Sequence, residues 1–138
     1  MPPRHFLDTN VLLYSISRDA REAAKRERAV ALLERDEGAL SVQVLQEFYV
    51  QATRSTQLDP LPHDIAAGLI ATWTRFTVQD ITLSILMGAL EITTSHGLSY
   101  WDSAIVAAAR ALGCRELYSE DMSHGQEIEG VIIINPFR

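Results

Sequence analysis

The chain alternates between short apolar runs and longer stretches in which apolar residues recur every three or four positions, a pattern of buried strands separated by amphipathic helices. Phe6 and Leu7 end the first run, and Val11-Leu12-Leu13 opens a short helix expected to reach about Ser17. Residues 18–35 are rich in Ala, Glu, Arg and Leu and contain neither Gly nor Pro, so they predict a helix, with Val30 and Leu33 extending an apolar side begun at Ala23. Gly38 ends that segment. Ala39 to Val42 reads as a second strand, followed by a helix from about Gln43 to Arg54 whose buried face is Val44, Leu45, Phe48, Tyr49 and Ala52. Asp59, Pro60 and Pro62 make residues 56–62 a loop. Ile65, Ala66, Leu69, Ile70 and Trp73 then predict another helix, and Phe76 to Val78 a brief third strand. Leu83, Leu86, Met87 and Leu90 form the next helical stripe, closed by Gly97 as a left-handed cap. In the following helix Trp101, Ile105, Ala108 and Leu112 line one side, and Gly113 ends it. The Met and Trp residues are read as core. Arg115 to Tyr118 and Val131 to Ile134 are the last two strands, the second stopped by Asn135-Pro136.

Strands alternating with helices predict an α/β protein: a mainly parallel sheet with helices on both sides and right-handed crossovers. No internal repeat, low-complexity tract or linker interrupts the pattern. The 138 residues suit one domain, residues 1–138, large enough to bury about 70% of its unfolded surface.

Against this frame four acids occupy similar positions. Asp8 follows the first strand, in Phe6-Leu7-Asp8-Thr9-Asn10. Glu47 lies at the border of the apolar face of its helix, Asp102 in the first turn of another, and Asp121 just past the fourth strand in Ser119-Glu120-Asp121-Met122. In open parallel sheets the carboxyl edge of the strands is where ligands collect, because loops leave the sheet there and helix N-termini face it. Each acid also has an ordinary role open to it. Asp8 can cap a helix, Glu47 can be solvated, Asp102 can complete a capping box with Ser99, and Asp121 can turn the chain. Their joint placement within reach of one edge favours a shared site.

Composition narrows the chemistry. Hydrophobic residues at 47% and charged residues at 22% are those of a folded globular protein. The lone Cys114 excludes an intrachain disulfide, no apolar run approaches the ~20 residues of a membrane span, and Met1-Pro2-Pro3 leads directly into the first strand; a cytoplasmic protein without membrane contact is expected. A net charge of −6 argues against a general nucleic-acid coater. Arg18, Arg21, Lys25 and Arg28 share a helix face that could steer a phosphate backbone, although a solvated face with Glu22 paired to Arg26 is the plainer reading.

Two carboxylates ~4 Å apart repel by roughly 4 kcal/mol at an effective dielectric near 20, so a cluster must be protonated or neutralised by a cation. Lys25 is the only lysine and is expected on a remote helix. A divalent ion answers the need, and oxygen ligands suit Mg²⁺ or Mn²⁺ rather than zinc. His5, His63, His96 and His124 lack metal-ligand spacing, and Cys114 reads as a small buried apolar group.

Phe6-Leu7-Asp8-Thr9-Asn10, Glu47-Phe48, Tyr100-Trp101-Asp102 with its alanine-rich continuation, and Tyr118-Ser119-Glu120-Asp121-Met122 stand in that order along essentially the whole chain. In them the sequence resembles the PIN-domain ribonucleases, particularly the small VapC-like toxins of bacterial toxin–antitoxin pairs. The resemblance implies a five-stranded sheet in the order 3-2-1-4-5, which sets Asp8 beside Asp121 at the topological switch point. It also implies metal-dependent hydrolysis of RNA, a cognate antitoxin that blocks the site, and a homodimer. On this reading Asp8 and Asp102 hold the principal Mg²⁺, Asp121 completes the site, and Glu47 orients the attacking water or a second ion. Thr9, Asn10 and Ser119 orient those ligands through hydrogen bonds. Either Glu120 or Asp121 can fill the fourth position, and the matching pattern favours Asp121.

Other assignments fit less well. A haloacid-dehalogenase-like phosphatase needs a second acid where Asn10 stands, and a receiver domain needs a strand-end lysine that the chain lacks. A catalytically silent PIN-like module that only binds RNA or protein is the remaining alternative, although such a scaffold is expected to have lost one or more of the acids.

Overall fold

Parallel pairing on both sides leaves the central strand of this molecule no solvent-facing side, and His5–Leu7 (β1) is buried at every position. The computed structural model describes residue 3 and residues 5–138, so Arg4 lies outside the described residues. After β1 come helix α1 (Thr9–Ser15), a 3-10 turn at Ala20–Glu22 and α2 (Ala23–Leu33). Strand β2 (Gly38–Ser41), helices α3 (Val42–Thr53) and α4 (His63–Trp73), and strand β3 (Thr77–Gln79) follow. Helices α5 (Leu83–His96) and α6 (Tyr100–Ala111) then lead to β4 (Glu116–Tyr118), β5 (Glu127–Ile128) and β6 (Val131–Ile134).

The sheet order is β3-β2-β1-β4-β6-β5, parallel except for the β5–β6 pair. The five strands read from the sequence therefore stand in the order 3-2-1-4-5, and the sixth adds an antiparallel edge. That edge strand has only two residues, too few for a periodic signal. Its turn, Glu129-Gly130, places both residues at positive φ (52° and 84°), a hairpin geometry that Asn-Gly would have advertised and Glu-Gly does not.

The crossovers from β1 to β2 and from β2 to β3 run one way along the sheet, and the crossover from β3 to β4 runs back. Right-handed connections thus put α1 to α4 on one face and α5 with α6 on the other. Gly38 permits the close approach of β2 to the end of α4, since a Cβ there would stand 3.2 Å from two ring carbons of Phe76. Phe6, Leu12, Leu40, Val44, Phe48, Ile105, Leu117 and Ile133 belong to one continuous core.

Two readings of the core are corrected. The stripe Leu83, Leu86, Met87 and Leu90 faces outward, with Leu83 73% and Met87 53% exposed. The buried side of α5 is Ala89 and Ile92, with Ile85 partly covered. Both stripes have helical spacing. Small residues decide between them: Gly88 lies close enough to α6 that its Cβ would be 3.8 Å from that of Ala107, so the narrow face packs and the bulky one is left outside. Trp101 is likewise exposed, whereas Trp73 and Met122 are buried.

His5 is 0% exposed, neither ring nitrogen has a hydrogen-bond partner, and the ring lies 5.3 Å from that of Tyr118. Burial, assisted by Arg35 and opposed by Glu37, holds its pKa below the ordinary value of 6.5. The unfolded chain therefore takes up this proton first, so the stability contributed by neutral His5 is complete above that value and is lost as pH falls below it. His5→Leu is expected to flatten the decline of the urea midpoint between about pH 7.5 and about pH 5 relative to wild type, since every other titrating group is common to both proteins. Parallel profiles would show that the ring accepts a proton without cost in its site.

Candidate active site

Asp8 N–H donates to the Tyr118 carbonyl at 3.0 Å, carrying the β1–β4 ladder one residue past the strand and setting Asp8 beside Ser119. The Asp8 carboxylate caps α1 by accepting the Thr9 N–H at 2.7 Å, and accepts the Ser119 hydroxyl at 2.7 Å. It is 6% exposed. That burial pushes its pKa up to about 6; the hydrogen bonds from Ser119 and Thr9 oppose the rise, and the charges of Asp121 and Glu47 add to it.

The other three acids come from separate elements. Ser41 caps α3 through the Val44 N–H at 3.2 Å, and one turn further Glu47 reaches back over the sheet edge. Its carboxylate accepts the Thr9 hydroxyl at 2.9 Å and the Gln43 amide at 2.8 Å. Ser99 does cap α6, accepting the Asp102 N–H at 3.2 Å. The capping role and a place in the site coexist, because the half-buried Asp102 carboxyl faces the same hollow. Burial raises its pKa, the Ser99 hydrogen bond lowers it, and Asp121 and Glu47 raise it again. Asp121 is exposed; it accepts the Asn10 side-chain amide at 3.2 Å and donates its N–H to Ser119 Oγ at 3.2 Å.

Asp8, Glu47, Asp102 and Asp121 line one cavity of about 110 Å³, together with Thr9, Asn10, Leu13, Gln51, Trp101 and Ile105. Asp8 and Asp102 each feel the charges of both Asp121 and Glu47, so the four behave as one electrostatic unit. Thr9, Asn10 and Ser119 each donate to one of these acids, Glu47, Asp121 and Asp8 respectively. Among the described residues no three His, Cys, Asp or Glu side chains already converge as ligands of one ion. The donor set is nonetheless the right kind for a hard divalent cation, being oxygen throughout, with Asp8 buried beside two further acids. Lys25 does not enter this cavity.

Lys25 is nearer than the sequence suggested, and its contact separates the two neighbouring acids. Its Nζ lies 2.6 Å from Glu120 Oε2 and over the Tyr14 ring at 4.9 Å from the centroid, while Tyr14 OH donates to Glu120 Oε1 at 2.5 Å. Burial would raise the Glu120 carboxyl, but the bonds from Lys25 and Tyr14 outweigh it and hold its pKa below the ordinary range. Glu120 is thus turned away from the acid cavity and Asp121 toward it. The Glu120 N–H donates to Asn10 Oδ1 at 3.3 Å, so Asn10 grips both residues of the loop.

The helix read over residues 18–35 begins only at Ala23, so Arg18 and Arg21 precede α2 and do not share a helix face with Lys25 and Arg28. Arg18 pairs with Asp59 at 3.2 Å and Arg21 with Asp19 at 2.8 Å. Glu22 accepts the Ser17 hydroxyl at 2.6 Å. The histidines stay apart from the cavity: His5 is in β1, His63 bonds Tyr49, His96 pairs with Glu129, and His124 accepts the Asn135 N–H. Cys114 is buried and its thiol is pushed up to about 11 by desolvation. Sequence reasoning missed Gln43, Tyr14 and Lys25 as supports. Only Gln43 left a signal, standing four residues before Glu47 on one helix face.

Lys25→Met is expected to release Glu120 and loosen the loop that carries Asp121. Amide exchange at Glu120 and Asp121 should quicken several-fold while the β4 amides stay protected. Unchanged exchange at those two amides would show that Asn10 and Ser119 hold the loop unaided.

The family model for the PIN domain matches residues 5–124. No curated protein sequence matches the chain. Among solved structures, a toxin–antitoxin complex from Klebsiella pneumoniae superposes with a TM-score of 0.70 at 20% identity, covering 96% of this chain and 97% of that one. VapC20 of Mycobacterium tuberculosis, described as a sarcin-ricin loop cleaving toxin, superposes at 0.66 and 22% identity over 85% of this chain and 89% of its own. VapBC2 from Rickettsia felis, bound to a promoter DNA fragment, gives 0.64 and 18% over 94% and 96%. At such identities these structures establish a common fold. With the family model spanning most of its length and its strand order realised in the sheet, the chain belongs to the PIN domain family.

Proposed function

We propose that residues 1–138 form a single PIN-like domain that acts as a metal-dependent endoribonuclease, the toxin of a toxin–antitoxin pair. One observation carries the reading: four carboxylates from four separate parts of the chain line one cavity at the carboxyl edge of the sheet. The description of VapC20 as a toxin that cleaves the sarcin-ricin loop supports an RNA substrate, and the toxin–antitoxin complexes among the similar structures support an antitoxin partner covering the cleft.

Asp8, Asp102 and Asp121 would hold Mg²⁺, or Mn²⁺ in its place. When bound, the ion supplies positive charge to the phosphoryl oxygens and acidifies water. The Thr9 N–H and the Ser119 hydroxyl each hold one oxygen of Asp8, whose remaining lone pairs would serve the ion, and Asn10 holds Oδ2 of Asp121. Glu47, held by Thr9 and Gln43, takes a proton from the attacking water. As the water oxygen bonds to phosphorus the bond to the 3′ oxygen breaks. The 3′ oxygen takes a proton from solvent, leaving a 5′ phosphate and a 3′ hydroxyl.

The outward stripe of α5 suits a homodimer, since Leu83, Leu86, Met87 and Leu90 expose apolar area that one copy leaves wet. No helix among the described residues is long and apolar enough to cross a membrane, which fits action on RNA in the cytoplasm.

Asp8→Asn should abolish cleavage of labelled RNA and leave the circular dichroism spectrum unchanged, and EDTA should stop the wild-type protein. Metal-independent RNA binding with no cutting would favour the silent module instead. Because Asp8 must lose its proton to hold a cation, and its pKa is about 6, Mg²⁺ affinity should climb as pH rises through that value and level off above it. A flat titration between about pH 5 and about pH 7.5 would remove Asp8 from the ion's ligands. Met87→Glu should halve the sedimenting mass, whereas an unchanged mass would exclude α5 as the dimer face.

A further inference from the structure

We propose that Trp101 is a stacking platform for an unpaired nucleobase of the RNA, next to the phosphate that is cut; this rests on the ribonuclease reading above. Trp101 is 64% exposed, in contrast to Trp73 at 4%. It immediately precedes Asp102 at the start of α6, and its side of the cleft opens into a second hollow of about 340 Å³. That hollow and the acid cavity share Glu47, Gln51 and Trp101, so they form one continuous groove. A strand of RNA entering the acid cavity would therefore run past the indole.

The ring is held for the task. Tyr100 packs against it edge to face, with centroids 5.0 Å apart and planes at 78°. Gln43 Nε2 donates to the Trp101 carbonyl at 3.3 Å as well as to Glu47, tying the first turn of α6 to the helix that carries the acid. Gln46 lines the hollow with an amide able to meet a base edge, and Arg54 supplies a cation for the next phosphate.

Electrostatics makes such a platform necessary. The chain carries a net charge of −6, the catalytic cavity is acidic, and Arg18, Arg21 and Lys25 are each engaged by an acid. Apart from Arg54, phosphate attraction outside the metal site is therefore weak, and much of the affinity must come from contacts that do not depend on charge. Base–aromatic stacking is the strongest of these for single strands and tolerates any base. It also demands that the nucleotide be unpaired, which would restrict cutting to loops and single-stranded segments.

The test uses full-length Asp8→Asn protein as a non-cleaving binder, with short single-stranded RNA oligonucleotides that span a mapped cut site. Trp101→Ala should raise Kd about tenfold, as expected for the loss of one stacked base, while Trp101→Phe should stay near the parent. A single abasic nucleotide placed beside the cut should weaken binding to the parent by a similar factor and have no further effect on Trp101→Ala. That non-additivity is a signature a merely structural tryptophan would not give. Three results overturn the proposal: unchanged Kd in Trp101→Ala, an abasic penalty that persists in full in that variant, or a lower sedimenting mass for Trp101→Ala that assigns the indole to a contact between protein copies. Cleavage by otherwise wild-type Trp101→Ala at the parental rate and KM would sink the platform alone; failure of wild-type protein with Mg²⁺ to cut any RNA would sink the ribonuclease reading and the platform with it.

Discussion

The parallel pairing of β1 with β4 is the constraint on which the rest of the site depends. Neither strand has more than three residues, yet their register carries Asp8 N–H onto the Tyr118 carbonyl and brings Ser119 Oγ to within 2.7 Å of the Asp8 carboxylate. Residues 111 positions apart in the chain thereby become hydrogen-bonded neighbours. Asp121 follows Ser119 by two residues and is steered toward the same cavity. The sheet reverses its winding at this point, and the two chain segments diverge to leave a crevice between them.

Charge accumulates in that crevice because each acid is stabilised locally by a bond that has nothing to do with the others. Asp8 caps α1, Asp102 follows the Ser99 cap of α6, Glu47 is held by Thr9 and Gln43, and Asp121 by Asn10. These bonds fix the side chains without neutralising them. Burial in the crevice is the main reason the pKa values of Asp8 and Asp102 are raised, and the charges of Asp121 and Glu47 add to the rise. Protonation or a cation brought in from solvent relieves the mutual repulsion of these acids, since the chain's lysine is committed to Glu120. The Lys25–Tyr14–Glu120 cluster thus does two things with one set of contacts: it pins the β4 loop and removes from the cleft both the basic group that would quench it and the acid that would compete with Asp121.

The two outward apolar features have different settings and so different uses. On α5 the bulky residues are displaced by close packing of Gly88 and the buried Ala89 against α6, and they form an exposed helical stripe. Trp101 is displaced for another reason, since it occupies the first turn of α6 and lines the cavity of the four acids. A flat apolar stripe suits another copy of the chain, and a single indole beside carboxylates suits a planar ligand.

Periodicity in the sequence was enough to establish the alternation of strands and helices, and with it a mainly parallel sheet whose carboxyl edge collects polar residues. It was enough also to place Asp8, Asp102 and Asp121 at element ends and Glu47 at the border of a helix's apolar face, because caps, strand termini and helical faces are local events written in a few adjacent residues. Which of two helical stripes on α5 is buried was not readable, since 83-86-87-90 and 85-89-92 have the same period and only the partner helix chooses between them. The outward turn of Trp101 was hidden too, because it depends on where the start of α6 sits against the sheet edge. The engagement of Lys25 with Glu120, which separates Glu120 from Asp121, spans 95 residues and leaves no local trace. Local order follows from bonds between near neighbours, so the sequence determined it. Which charges meet, and which apolar faces stay wet, depends on segments that only the tertiary fold brings together.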